Sequence, residues 1–289
     1  MAAIESTSPL LAVNLPEGTS APDGSRVMRM EIPIFDQTVC VRAHIADVPA
    51  RLADLMPLAR WLDEQIIQSA IDQTRAKGWN VSCSMGCCAC CSYLIPLSLP
   101  EVFNLWDELL AMDDRRRLQL GERFTESTHR LLSRPFTPDT TRGDGDGSVV
   151  DQMGRWYAEL ELPCPLLENA LCSEYDIRPL ACREYMVISP PEHCQGRSPH
   201  RATRIDLPVS IAESCMELAA SMEGGEPEGI ILTSMLAWLG DNLHRHEATF
   251  PALEMFRTFL QIVQRRVRTD LRLPSLGEAA ATAASWGAA

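Results

Sequence analysis

Apolar residues recur at helical spacing along much of the chain. In the segment 57–77 they lie three or four residues apart, at Leu58, Leu62, Ile66 and Ala70. This period places them on one face of a helix, and Gly78 supplies a stop signal. Similar patterns predict further helices after the capping-box sequence Ser98-Leu99-Pro100-Glu101 and over 113–132, 151–160, 208–222, 228–245 and 252–271.

Candidate strands are few by comparison. Residues 31–45 contain β-prone pieces and predict a short strand or hairpin. The predicted fold class is therefore mainly α: a single helical domain with a cysteine-rich metal-binding loop region and a short N-terminal hairpin. We expect a flexible arm over 1–28, the helical domain over 29–275 and a flexible Ala-rich tail over 276–289.

Cysteines interrupt this helical pattern in two clusters. Five of the chain's 11 cysteines lie within nine residues, in the run CSMGCCACC, at Cys83, Cys87, Cys88, Cys90 and Cys91. A second set follows at Cys164, Cys172, Cys182 and Cys194. Thiols at such short spacings can converge on one metal ion, and chains in a reducing compartment seldom keep so many together for packing alone. The sequence therefore predicts a metal centre.

The spacing of the cysteines identifies candidate ligands but does not identify the metal. Cys87 and Cys90 have the CxxC spacing, and Gly86 permits a tight backbone bend before them. Cys90 and Cys91 are adjacent, so their side chains diverge and favour different metals, or one ligand and one supporting role. The predicted ligands, which can complete two four-thiolate sites or one cluster with spare thiols, are Cys83, Cys87, Cys90, Cys91, Cys164, Cys172, Cys182 and Cys194. Zinc and iron–sulfur clusters both accept four thiolates, and the spacing does not separate them.

Other residues have plainer or alternative interpretations. Cys40 and Cys215 stand apart from the clusters and are typical of buried, unligated cysteines. His193 can replace a thiol as a ligand, although an ordinary loop histidine is the simpler interpretation. Arg178 and Arg183 lie beside Cys182, where a guanidinium group can donate to a metal-bound thiolate and offset its charge. An ordinary surface arginine is the alternative for each.

The two clusters together resemble the CxxCxxCC family of zinc- or iron-chelating proteins over about residues 80–195. The matching elements are Cys83, Cys87, Cys90 and Cys91, then Cys164, Pro165 and Leu167 or Leu166, then Cys172, Tyr175, Arg178 and Pro179, then Cys182 and Arg183. The position of Cys88 is often a small residue in the family pattern, and Cys194 lies beyond the core motif.

The resemblance implies a metal centre, with an iron–sulfur cluster favoured over zinc. The family includes proteins similar to flagellin lysine N-methylase, so it also implies an alternative function: S-adenosylmethionine-dependent methylation of protein lysines. A structural or carrier site is the non-enzymatic hypothesis. The expected partner is a protein substrate or a metal-recipient protein.

The net charge and the N-terminal sequence limit the expected partners and the expected location of the protein. A net charge of −13 repels nucleic acid and anionic membranes, so neither is an expected partner. The first residues lack a basic stretch before their apolar run, and no apolar run approaches the length of a membrane span. We therefore expect a cytoplasmic protein with reduced thiols, and the odd cysteine count also disfavours a complete disulfide set.

Overall fold

The computed structural model describes residues 9–13, 24–138, 149–195, 198 and 200–268. The helices in these ranges are α1 (Met56–Ala76), α2 (Leu99–Ala111), α3 (Asp114–Leu132), α4 (Val149–Glu159), α5 (Leu180–Glu184), α6 (Ile211–Glu223), α7 (Met235–His246) and α8 (Ala252–Arg266). The strands are β1 (Leu10–Val13), β2 (Ser25–Ile34), β3 (Gln37–Ala46), β4 (Pro49–Arg51), β5 (Pro96–Leu97), β6 (Leu167–Glu168), β7 (Leu171–Cys172), β8 (Ile230–Ile231) and β9 (Thr249–Pro251). Short 3-10 turns cover Leu52–Leu55, Pro191–Cys194 and Leu232–Ser234.

The mainly α, all-helical prediction is wrong. The fold is mixed α/β, with 51% helix and 17% strand. Most of the strand content lies near the N-terminus, where β2 and β3 pair antiparallel along their full length and β1 adds to the other edge of β3. Three further two-stranded sheets join distant segments: β4 with β9, β5 with β8, and β6 with β7.

Alternating burial explains the N-terminal sheet. Ile32 and Ile34 on β2 are fully buried with exposed Pro33 between them, and Val41, Ala43 and Ile45 on β3 are also fully buried. One face of the sheet therefore packs on the core and most of the other face is at least partly exposed, with His44 as a buried exception.

Helix α1 provides the central support for the rest of the chain. Its residues Leu58, Leu62 and Ile66 are fully buried, as their spacing predicts. The helix packs against α2, α5 and α6, while α8 packs against α6 and the N-terminal sheet. One continuous hydrophobic cluster therefore includes residues from Ile32 to Val263.

The predicted terminal segments are only partly described. Residues 1–8 and 14–23 of the predicted arm lie outside the described residues, while 10–13 and 25–28 lie in β1 and β2. The predicted tail, 276–289, lies wholly outside them. In the ranges that the structure covers, none of the helices combines the length and the apolar character needed to cross a membrane.

Candidate metal centre

The first cysteine block, residues 83–91, is a series of tight turns between α1 and β5. Backbone hydrogen bonds from Cys87 N to Ser84 O (3.1 Å) and from Cys91 N to Cys88 O (3.0 Å) close two of these turns. Gly86 has a φ of +91°, in the left-handed region that favours glycine. The tight bend predicted before Cys87 is therefore confirmed.

The second cysteine block, residues 164–194, is built from short elements. Cys172 ends the hairpin β6–β7, Cys182 lies at the centre of the five-residue helix α5, and Cys194 ends a 3-10 turn. Cys164 precedes the hairpin, and its carbonyl accepts from Leu167 N at 2.9 Å. Each thiol is thus presented by a different local structure.

The two blocks meet in space. Cys164 N donates to Cys91 O at 2.8 Å, and Ser82 N donates to Val187 O at 2.9 Å. The Cys83 thiol also lies 3.8 Å from the carbonyl oxygen of Tyr185. All 11 cysteines are free thiols, so no disulfide joins the blocks. The fold therefore makes the return that a shared site requires.

Cys194 belongs electrostatically with the start of the first block. The pKa of Cys194 is raised to about 11, chiefly by burial and then by the charges of Cys90, Cys83 and Cys87. Burial likewise raises the pKa of Cys83, with added contributions from Cys90 and Cys87. These four thiols, Cys83, Cys87, Cys90 and Cys194, form what we call set A.

The remaining four predicted ligands form set B, which consists of Cys91, Cys164, Cys172 and Cys182. The pKa of Cys164 is raised to about 12, chiefly by burial, and Cys172 is the first of the neighbouring charges that contribute. Burial also raises the pKa of Cys182 well above its ordinary value, with Cys164 as the leading charge. Part of the Cys182 residue is exposed, but protein atoms surround its sulfur. This burial of the sulfur is the main cause of the raised pKa.

Cys90 and Cys91 connect the two sets. A hydrogen bond between their thiols lowers the pKa of Cys90 to about 7 and raises the pKa of Cys91. Cys90 also contributes to the raised pKa values of Cys164 and Cys182 in set B. The adjacent pair thus lies at the boundary between the sets, and Cys90 affects the pKa values of thiols in both.

The donor chemistry fits a thiolate-bound metal, but the side chains do not yet converge. Across the described residues, no group of three or more His, Cys, Asp and Glu side chains forms a ready-made metal site. Each set offers four thiols, which is the ligand number that zinc and iron–sulfur clusters take. Sets A and B would therefore hold such a group only after their thiol side chains turn toward a common centre.

The two candidate arginines have different surroundings. Burial raises the pKa values of Cys83 and Cys172, and the positive charge of Arg178 opposes this shift and also favours the ionised form of Cys90. The Arg178 guanidinium group stacks 3.8 Å from the ring centroid of Tyr175. Arg183 instead pairs with Glu64 at 3.3 Å and donates to Asp176 O at 3.0 Å. The structure therefore brings Arg178 to the thiols and ties Arg183 mainly to α1.

Two tyrosines complete the surroundings of set A. The rings of Tyr93 and Tyr185 meet edge to face with centroids 5.7 Å apart, and the Tyr185 side chain hydrogen bonds to Cys194. The sequence analysis did not single out Tyr93, and its proximity to Tyr185 arises only when the blocks meet. The ring of His193 lies 4.9 Å from that of His200, centroid to centroid.

Cys88 lies beside a cavity rather than within either set. The cavity has a volume of about 340 Å³ and is lined by Cys88, Cys91, Ser92, Ala158, Glu161, Pro163, Leu167 and Gln195. Of the two cysteines outside the blocks, Cys215 is fully buried in α6, as expected, whereas Cys40 is exposed on β3, so the expectation of a buried residue is wrong there.

No known protein-family model, curated protein or solved structure matches this chain.

Proposed function

We propose that this protein binds metal through the thiolates of the two cysteine blocks, as an iron–sulfur cluster or as zinc. The observation that carries the proposal is the meeting of the blocks, in which Cys164 N donates to Cys91 O at 2.8 Å. About 70 residues separate these two positions in sequence. Eight free thiols consequently share one region of the molecule, and a bound cation would offset the mutual repulsion of their ionised forms.

The division into sets A and B supports two neighbouring centres. Cys90 and Cys91 cannot readily direct adjacent side chains to one small ion. Cys90 contributes to the raised pKa values of Cys83 and Cys194 in set A, whereas Cys164 and Cys182 of set B contribute to that of Cys91. Four thiolates complete a closed zinc site or ligate one iron–sulfur cluster. Zinc would crosslink the segments of each set, whereas an iron–sulfur cluster would add the capacity to exchange single electrons.

Anaerobic purification followed by elemental analysis and visible spectroscopy tests the proposal. Broad charge-transfer absorption with stoichiometric iron and inorganic sulfide identifies an iron–sulfur protein. A colourless protein that holds stoichiometric zinc identifies the other metal. A wild-type protein that contains neither, and takes up neither on anaerobic reconstitution, would refute the proposal.

Cysteine-to-serine variants locate the ligands. We expect Cys194→Ser and Cys182→Ser each to lose about half of the bound metal, because each removes a ligand from a different set. Cys40→Ser is the matched control, since Cys40 is an exposed cysteine on β3, away from both blocks. Equal metal content in all three variants would show that the two blocks do not supply the ligands.

A second candidate function is S-adenosylmethionine-dependent methylation of a protein lysine. The observation that favours it is the open cavity of about 340 Å³ that Cys91 helps to line, because a catalytic centre needs room for a substrate beside it. A different observation favours a metal-carrier function. Cys83 and Cys87 are exposed, so a recipient protein could reach a metal ion bound by set A.

Calorimetric titration of the metal-loaded protein with S-adenosylmethionine separates these functions. Saturable binding that Leu167→Trp abolishes would support methyl transfer, because Leu167 lines the cavity and a larger side chain would fill it. The absence of binding by a protein that folds only with its metal would leave the structural or carrier function.

A further inference from the structure

Helix α5 is too short to be stable alone, yet it carries Cys182 at its centre. It contains five residues, Leu180–Glu184. Isolated helices need about 12 to 15 residues to be even marginally stable in water, because forming the first turn is costly. The position of the Cys182 sulfur therefore depends on contacts that hold α5 from outside.

The N-terminal end of α5 is held by Glu101 of α2. One carboxylate oxygen of Glu101 accepts from Leu180 N at 2.7 Å. The other oxygen accepts from Ser98 N at 2.9 Å and from Ser98 Oγ at 2.8 Å. Glu101 is 4% exposed, so water competes little for these hydrogen bonds.

The C-terminal end of α5 is held in a similar way by Glu184. Its carboxylate accepts from Ile211 N at 2.7 Å and from Ala212 N at 2.9 Å, both at the start of α6. Ser210 Oγ donates to the other oxygen at 2.6 Å. The helix that carries Cys182 is thus held at each end by a buried carboxylate.

Glu101 differs from Glu184 because it reaches both cysteine blocks. Ser98 follows the first block through the short strand β5, and Leu180 lies two residues before Cys182 in the second block. We propose that Glu101 is a positioning residue for the metal centre, which fixes Cys182 relative to the first block by bonding to Ser98 and Leu180 at once. This inference rests on the proposed metal-binding function.

Substitution of Glu101 by Gln tests the inference against Ser98→Ala. The Gln amide keeps the volume of Glu101 but has only one accepting oxygen, which the two donors of Ser98 favour. Its NH2 group would then face Leu180 N, and the hydrogen bond to α5 would be lost. Ser98→Ala removes the hydrogen bonds of the Ser98 hydroxyl, including the one to Glu101, and leaves the bond from Leu180 N to Glu101 intact. Both variants perturb α2, and only Glu101→Gln changes the support of α5.

Two measurements on these variants report the position of α5. Hydrogen exchange of the Leu180 amide in metal-free protein should be slow in the wild type and in Ser98→Ala, and at least about tenfold faster in Glu101→Gln. Zinc affinity, measured by competition with a chromophoric chelator, should fall by about tenfold or more in Glu101→Gln and by less than about threefold in Ser98→Ala. Unchanged exchange and unchanged affinity in Glu101→Gln would overturn the inference.

The outcomes also distinguish this inference from the proposed function. A wild-type protein that binds no metal refutes metal binding, while Leu180 exchange still reports whether Glu101 holds α5. A wild type that binds zinc while Glu101→Gln binds it equally well refutes only the role of Glu101. If Glu101→Gln does not fold, a Leu180 amide that exchanges in the wild type as fast as an exposed amide refutes the inference.

Discussion

Arg178 and Arg183 lie five positions apart but act on different partners, which makes them a matched pair of residues. Arg178 favours the ionised forms of three thiols, whereas Arg183 pairs with Glu64. We expect Arg178→Gln to weaken zinc binding by about threefold to tenfold, because a positive charge near the thiolates is lost. Arg183→Gln should change it by less than about twofold. Chelator competition measures both, and equal effects would contradict the assignment.

Asp63 carries a buried carboxyl group with no hydrogen-bond partner among the residues that the structure describes. It lies on α1 and is 0% exposed. Burial raises its pKa well above the ordinary value, Glu184, Glu101 and Glu64 raise it further, and Arg183 opposes the shift. Folding therefore favours the protonated group, whose contribution to stability is complete below the unfolded pKa of about 4 and is lost as the pH rises toward the folded pKa.

Asp63→Asn removes this dependence on pH. We expect the variant to gain about 1 to 3 kcal/mol of unfolding free energy relative to wild type at pH 8, and much less at pH 4.5. Urea unfolding of the metal-free proteins at both pH values measures the difference. The same gain at the two pH values would show that Asp63 does not titrate as described.

The first cysteine block depends, as an element, on one glycine conformation. A Cβ added to Gly86 would meet only Leu171 Cδ2, at an ordinary 3.7 Å, so space does not limit the position. The φ of +91° limits it instead, because a residue with a Cβ is strained in this conformation. Gly86→Ala should therefore destabilise the metal-free protein by about 1 to 2 kcal/mol. Urea unfolding measures this change in free energy.

Gly121→Ala is the control for that prediction. Gly121 lies inside α3, and an added Cβ would meet nothing within 4 Å. Alanine is about 0.5 to 1 kcal/mol more favourable than glycine inside a helix, so this variant should be more stable than wild type. Destabilisation by both substitutions would indicate that backbone conformation is not the cause at Gly86.

The sequence predicted the long elements better than the short ones. Helix α1 begins and ends within one residue of the predicted 57–77, because its apolar period persists over five turns. Residues 228–234 were expected to be helical, but Ile230–Ile231 pairs with Pro96–Leu97 as a strand. Local periodicity carries no information about a pairing partner so distant in sequence.

The contacts that hold helix α5 at the candidate site likewise could not all be predicted from local sequence. The sequence indicated Cys182 as a ligand and Ser98 with Glu101 as a capping box, and that capping box is confirmed. The bond from Leu180 N to Glu101 could not be inferred, since it forms only when α2 and the second block pack together. The metal-binding role of the thiols stays a prediction.

At the scale of the whole molecule, metal binding should stabilise the native state by mass action. Free zinc at about 100 times its dissociation constant adds about 2.7 kcal/mol per site. For a chain of this size we expect the thermal midpoint to rise by about 4 to 5 °C per site, and chelator addition should reverse the rise. Scanning calorimetry with and without zinc measures it. Cys40→Ser should behave as wild type, and an unchanged midpoint on saturation with zinc would contradict the prediction.

The long separation between the blocks has a consequence for biosynthesis. About 100 residues lie between Cys91 and Cys194, and ribosomes add about 5 to 20 residues each second. The thiols of the first cysteine block are therefore synthesised about 5 to 20 s before Cys194. During that interval they are nascent, unprotected nucleophiles, and a centre of the proposed kind that includes Cys194 can be completed only after that residue has left the exit tunnel.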